Sequence, residues 1–134
     1  MRWFEVVLLG LSAVADPAWA QAWLTVADAE GRFRLEIPVP FDLPPARVEP
    51  DGIVTLAYVH ETPELALRFE VVDHGEAMQA PPLLIERTER MVQMRSHVVG
   101  RRTYRVVAIF PPELEGDATI QRFMQSVRYD DGPN

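Results

Sequence analysis

Apolar and polar residues alternate along much of the chain between 23 and 73. Within 32–37, Phe33, Leu35 and Ile37 alternate with Arg32, Arg34 and Glu36, the two-residue period of a half-buried strand. Trp23-Leu24-Thr25-Val26 precedes this run across a turn at Asp28-Ala29-Glu30-Gly31, so the pair predicts a β-hairpin. The stretch 38–45 holds four prolines. Proline cannot donate a ladder hydrogen bond, so this segment reads as a loop, with Phe41 and Leu43 expected to anchor it in the core. Asp51-Gly52 predicts a tight turn between a short run at 47–49 and a strand over 53–60. Glu61-Thr62-Pro63-Glu64 then turns the chain into 65–73, where Leu65, Leu67, Phe69 and Val71 share one face. Three consecutive antiparallel strands are implied.

Beyond a loop at 74–82 the period changes. Leu84, Thr88, Met91, Val92 and Arg95 fall on one face of a helix, Glu86, Arg87, Glu89 and Arg90 on the other, and Glu86 with Arg90 forms an i,i+4 ion pair. A helix over 83–95 is expected, stopped by Gly100. Residues 102–110 read as a central strand covered on both sides, with Tyr104, Val106, Ala108 and Phe110 on one face and Val107 and Ile109 on the other. Pro111-Pro112 closes it. Asp117 is placed to cap a last helix, in which Ile120, Phe123, Met124 and Val127 recur at i, i+3, i+4 and i+7. The order of elements predicts an α+β fold, an antiparallel sheet of about five to six strands with two helices packed on it.

The first twenty residues follow a different order: Met1-Arg2, an apolar run over 6–15 broken only by Gly10 and Ser12, then Asp16-Pro17-Ala18-Trp19-Ala20. A positive start, an apolar stretch and small residues after a helix-ending proline are what an export signal requires. The reading is a signal peptide over 1–20 cleaved after Ala20, a single domain over 21–129 and a polar tail at 130–134, with the working protein periplasmic or secreted. Glu5 weakens the positive start, and a buried N-terminal helix or strand is the competing reading. About 10 apolar residues fall short of the roughly 20 that span a bilayer, so no transmembrane anchor is expected after cleavage.

Formal net charge is -7 over 134 residues. Residues 1–20 contribute -1, Arg2 against Glu5 and Asp16, which leaves -6 for 21–134. Such a chain repels a phosphate backbone, and nucleic acid is not an expected partner. Cysteine is absent, which removes thiol chemistry and leaves stability to the core.

The Trp-led first strand, Gly-Arg-Phe-Arg-Leu-Glu-Ile-Pro at 31–38, Arg-Thr-Tyr-Arg-Val-Val at 102–107 and Arg-Phe-Met-Gln-Ser-Val at 122–127 resemble the PsbP-like superfamily over most of 23–128. That group includes extrinsic subunits of the photosynthetic oxygen-evolving complex, a Ran-binding nuclear factor and bacterial envelope proteins of the DcrB type. The resemblance implies a sandwich-like α/β domain that binds other proteins. The matching positions, Phe33, Pro38, Arg102, Tyr104, Phe123 and Ser126, read as core, turn or helix packing, so the resemblance carries over no functional residue. In longer members one or two extra strands follow the first helix. Here only Val98-Val99 is left to pair before the strand at 102–110.

No catalytic constellation can be assembled. His60 and His74 are expected at opposite ends of one hairpin. If 61 pairs with 64, they stand about 30 Å apart and cannot share a metal. His97 follows Ser96, and sequence neighbours diverge in direction, so they do not make a nucleophile and base pair. The acidic turn Glu61 to Glu64 lacks the spacing and central glycine of a calcium loop. No cofactor or metal is implied. One local excess of positive charge remains, Arg95, Arg101, Arg102 and Arg105, a candidate patch for an anion or an acidic partner. The leading expectation is a non-catalytic envelope domain that binds a protein partner or helps assemble a complex. A small-ligand or anion carrier that uses the arginine cluster, with 38–45 as a lid, is the alternative, and a hydrolase with a dispersed site is a third.

Overall fold

The computed structural model describes residues 6–12, by backbone path alone, and residues 22–74 and 90–130. The chain divides into two compact units, Met1–Phe41 with Ala118–Asn134, and Asp42–Asp117. The described elements are mostly antiparallel strands in two sheets, with one α-helix: a mixed α+β architecture.

The first unit holds a sheet in the order β1 (Val6–Ser12), β2 (Trp23–Asp28), β3 (Phe33–Pro38), and a last strand, Arg128–Tyr129. Strand β2 pairs with β3 from Trp23↔Pro38 to Ala27↔Arg34, which is the hairpin that the alternation at 32–37 predicts. Phe33, Leu35 and Ile37 are buried and Arg34 is exposed. Strand β1 lies antiparallel to β2, with a register shift between Leu8 and Gly10. It coincides with the apolar run of the expected export signal, whose cleavage position after Ala20 lies outside the described residues. The α-helix α1 (Ala118–Ser126) starts one residue after Asp117 and buries Ile120, Phe123 and Met124, with Val127 buried just beyond its end.

The β2/β3 turn is closed by charge. Gly31 takes φ 74°, a conformation open to a residue without a Cβ, and its N–H donates to the Asp28 carbonyl at 2.9 Å. The Asp28 carboxylate, 1% exposed, accepts from Arg32 Nε, from Nη2 at 2.8 Å and from the Arg32 backbone N–H at 3.2 Å. Asp28→Ala removes the acceptor of all three and leaves a half-buried guanidinium without it. A loss of about 1.5–3 kcal/mol is expected, the range for hydrogen bonds to charged groups, and is measured by thermal or urea unfolding.

The second unit holds a five-stranded antiparallel sheet. With the remaining strands numbered β4 (Arg47–Val48), β5 (Val54–Glu61), β6 (Ala66–Asp73), β7 (Met91–Val99), β8 (Arg102–Phe110) and β9 for Arg128–Tyr129 of the first unit, its order is β4-β5-β6-β8-β7. One face carries a buried apolar cluster: Leu56 and Tyr58 from β5, Leu67, Phe69 and Val71 from β6, Tyr104, Val106, Ala108 and Phe110 from β8. The opposite face of β8 is buried as well, with Val107 fully covered, as expected for a strand apolar on both sides.

Five expectations need correction. The sheet is not one layer of five to six strands carrying two helices; there are two sheets and one α-helix among the described residues. The helix expected over 83–95 does not extend to its C-terminal end, because Met91–Val99 is a strand paired residue for residue with β8, from Met91↔Phe110 to Val99↔Arg102. Residues 83–89 of that helix lie outside the described residues. More than Val98-Val99 is thus available to pair before β8. Gly100, φ 58°, does not stop a helix but opens a two-residue turn with Arg101, the position at which a II′ hairpin turn takes glycine. Finally, Leu43 is 44% exposed and Phe41 half-buried, so the proline loop is not anchored as expected by two core side chains. A backbone bridge holds Asp42 to Val59, with N–H to carbonyl distances of 2.7 and 2.9 Å.

Candidate functional site

The β7–β8 hairpin carries all four arginines of the sequence-derived patch but does not gather them. Side chains alternate across a strand, and the pairing register fixes the faces. Arg95 and Arg102 share the face of Tyr104, and with Val99 opposite Arg102 they stand four residues, or about 13 Å, apart along the strands. Arg102 reaches Asp73 at 4.0 Å. Arg101 sits exposed in the turn. Arg105 points through the opposite face, is 8% exposed, and meets Glu70 at 3.4 Å.

Glu70 is buried, and its second oxygen meets Arg68 Nη2 at 3.0 Å. It therefore ties two arginines, one on its own strand and one directly opposite on β8. This carboxylate is committed to the sheet, and through it Arg105 is withdrawn from any external ligand. Sequence reasoning missed the group because Glu70↔Arg105 is a register fact. The local signal was the pair Arg68 and Glu70, out of phase with Leu67, Phe69 and Val71.

The histidines take separate structural places. Glu61 pairs with Ala66 rather than Glu64, which shifts His74 opposite position 53 and brings it to about 23 Å along the strand from His60, closer than expected yet at the other end of the hairpin. His74 is buried, its Nε2 at 2.6 Å from Thr103 Oγ1 and its backbone N–H donating to the Arg101 carbonyl at 2.7 Å. His60 is buried on the apolar face. His97 stacks on Tyr104 with centroids 6.3 Å apart, and Ser96 faces the other way. No group of three metal-ligating side chains occurs among the described residues. At the acidic turn Thr62 Oγ1 accepts the N–H groups of Glu64 and Leu65, while Arg90 donates to the Glu64 and Pro63 carbonyls. Two backbone carbonyls of this turn are thus held by a guanidinium.

What the hairpin offers instead is its outer strand. Among the described residues, strand β7 ends the sheet, and it spans nine residues. On one face Val92, Met94 and Val98 are 40%, 47% and 62% exposed, and on the other Val99 is 37% exposed. None of its residues is buried. Natural sheets blunt their edges with short strands or charges. The opposite edge, β4, is two residues long. Along β7, Arg95 is the single arginine, lysine or carboxylate.

No family model, curated protein or solved structure matches this chain.

Proposed function

We propose that this chain is a non-catalytic domain exported to the cell envelope, where it binds a protein partner by adding a partner strand to the edge of β7. The observation that carries the reading is the nine-residue edge with Val92, Met94 and Val98 exposed along one face. Strand addition draws affinity from main-chain hydrogen bonds and specificity from alternate side chains, and β7 supplies both. Arg95 and Arg101, on the same hairpin, favour a partner segment that carries acidic residues beside its apolar ones.

Export rests on the order of residues 1–20, and protein binding also on the resemblance to the PsbP-like superfamily, whose members bind other proteins. The carrier reading is less well supported, since Arg105 is committed to Glu70 and Leu43 in the proposed lid is exposed.

The test is partner capture from an envelope extract by the wild-type domain and by Met94→Lys/Val98→Lys. Both positions are exposed, so unfolding should be unchanged. The pair is expected to lose the captured protein, whereas Glu61→Lys, on β5 and separated from β7 by β6 and β8, keeps it. Equal capture by all three would overturn the assignment to β7.

A further inference from the structure

Strands β3 and β9 pair Arg34 directly with Arg128. Residues opposite each other on antiparallel strands lie about 4.5–5.5 Å apart at Cα and point to the same side, and like charges so placed destabilise a sheet. Arg34 has no ion-pair partner among the described residues. Arg128 uses Nη1 on the carbonyls of Gln125 and Val127, at 2.6 and 3.0 Å, which fastens it to the end of α1 without neutralising it.

The two guanidinium groups open onto a cleft of roughly 390 Å³ between β3 and α1, also lined by Thr25, Glu36, Arg122 and Gln125. A third arginine is held rigid there. Arg122 Nε donates to Glu36 Oε1 at 2.8 Å, and its guanidinium lies 4.2 Å from the centroid of the Trp23 ring. Ser126 locks the floor, because its Oγ accepts the Glu36 N–H at 2.9 Å and donates to the Phe123 carbonyl at 2.9 Å. Three arginines against one glutamate give the cleft a formal charge of +2 on a chain whose residues 21–134 sum to -6.

We infer that this cleft binds a small dianionic oxyanion, held by Arg34 and Arg128 with Arg122 fixed beside them. Guanidinium groups present planar donor forks to phosphate and carboxylate oxygens, and a dianion offsets both charges that the sheet leaves opposed. Gln125 and Thr25 add neutral donors at the margin. The site lies in the first unit, apart from the residues proposed to bind a protein, and does not depend on that reading.

The experiment is thermal unfolding and titration calorimetry of the full chain with inorganic phosphate, succinate and acetate, against sodium chloride at equal ionic strength. Phosphate or succinate should raise the melting temperature beyond the chloride control and bind at one site, with acetate weaker. Phosphate alone points to a tetrahedral ligand and both to any dianion, and either result supports the site. Arg34→Gln should weaken binding roughly tenfold or more, the loss of a bidentate charged contact. Without anion this variant should melt at the wild-type temperature or above it, because it removes one of two opposed charges. Arg128→Lys, which keeps the charge but not the fork, should bind more weakly than wild type. An anion effect equal to that of chloride, acetate binding as well as phosphate, or undiminished binding by Arg34→Gln would overturn the inference.

Discussion

Glu70→Ala is expected to destabilise the protein by about 3–5 kcal/mol, the cost of breaking a buried ion pair from one side. The side chains of Glu70 and Arg105 are 6% and 10% exposed and meet at 3.4 Å, so removing the carboxylate strands a guanidinium within the sheet. Arg68, 35% exposed, is partly screened by water and adds less. Its Nε is nonetheless buried with no hydrogen-bond partner among the described residues, so the network is not fully satisfied even when intact. The companion expectation follows: replacing Glu70, Arg68 and Arg105 together by leucine and methionine should cost far less than Glu70→Ala, because no charge is left uncompensated. Urea unfolding of both variants checks this. A small loss for Glu70→Ala would mean that water reaches the network.

Phe69→Ala is expected to cost a similar amount, about 3–5 kcal/mol, for a different reason. Phe69 is fully buried on β6, between β5 and β8. Its ring lies 6.1 Å from Tyr58 and 6.0 Å from Tyr104, and Tyr104 in turn stacks on His97. Truncation therefore opens a cavity in the middle of an aromatic row that crosses four strands. Domains of this size hold about 5–15 kcal/mol in total, so either variant should consume much of the stability. Calorimetry should show a lower melting temperature with the transition still cooperative. Phe69→Leu, which leaves a smaller void, should fall between the two.

The parts of the fold legible in the sequence are those whose faces differ. Phe33, Leu35 and Ile37 against Arg32, Arg34 and Glu36 define β3. Leu65, Leu67, Phe69 and Val71 define one face of β6. Ile120, Phe123, Met124 and Val127 define α1. Strand β7 was illegible because an edge strand with no buried residue is under little pressure to alternate. Met91-Val92 and Arg95 fit a helical period as well as any, and Glu86 with Arg90 strengthened that reading. The signals that could have separated the two were Val98-Val99, β-branched and better suited to a strand, and Gly100-Arg101, a two-residue hairpin turn. Both became decisive only with β8 as the pairing partner.

The candidate sites were harder to read for the same reason. Arg95, Arg101, Arg102 and Arg105 are close in sequence, yet strand geometry sends Arg105 to the face opposite Arg95 and Arg102. Arg34 and Arg128, 94 residues apart, are brought directly opposite each other by β3–β9 pairing. Nothing local announces that pair. Sequence proximity was thus a poor guide to charge clustering in a sheet, where register decides which groups meet.

The central claim, that the edge of β7 receives a protein partner, is tested most directly by proximity. Because the chain contains no cysteine, Ser96→Cys places a unique thiol at the centre of the exposed stripe, and Glu61→Cys places one at an exposed control position. Each is labelled with a photoactivatable maleimide and irradiated in envelope extract. The account predicts a discrete adduct from position 96, lost when Met94→Lys/Val98→Lys is introduced, and none of the same mass from position 61. The same adduct from both positions, or an adduct at 96 that survives those substitutions, would contradict it.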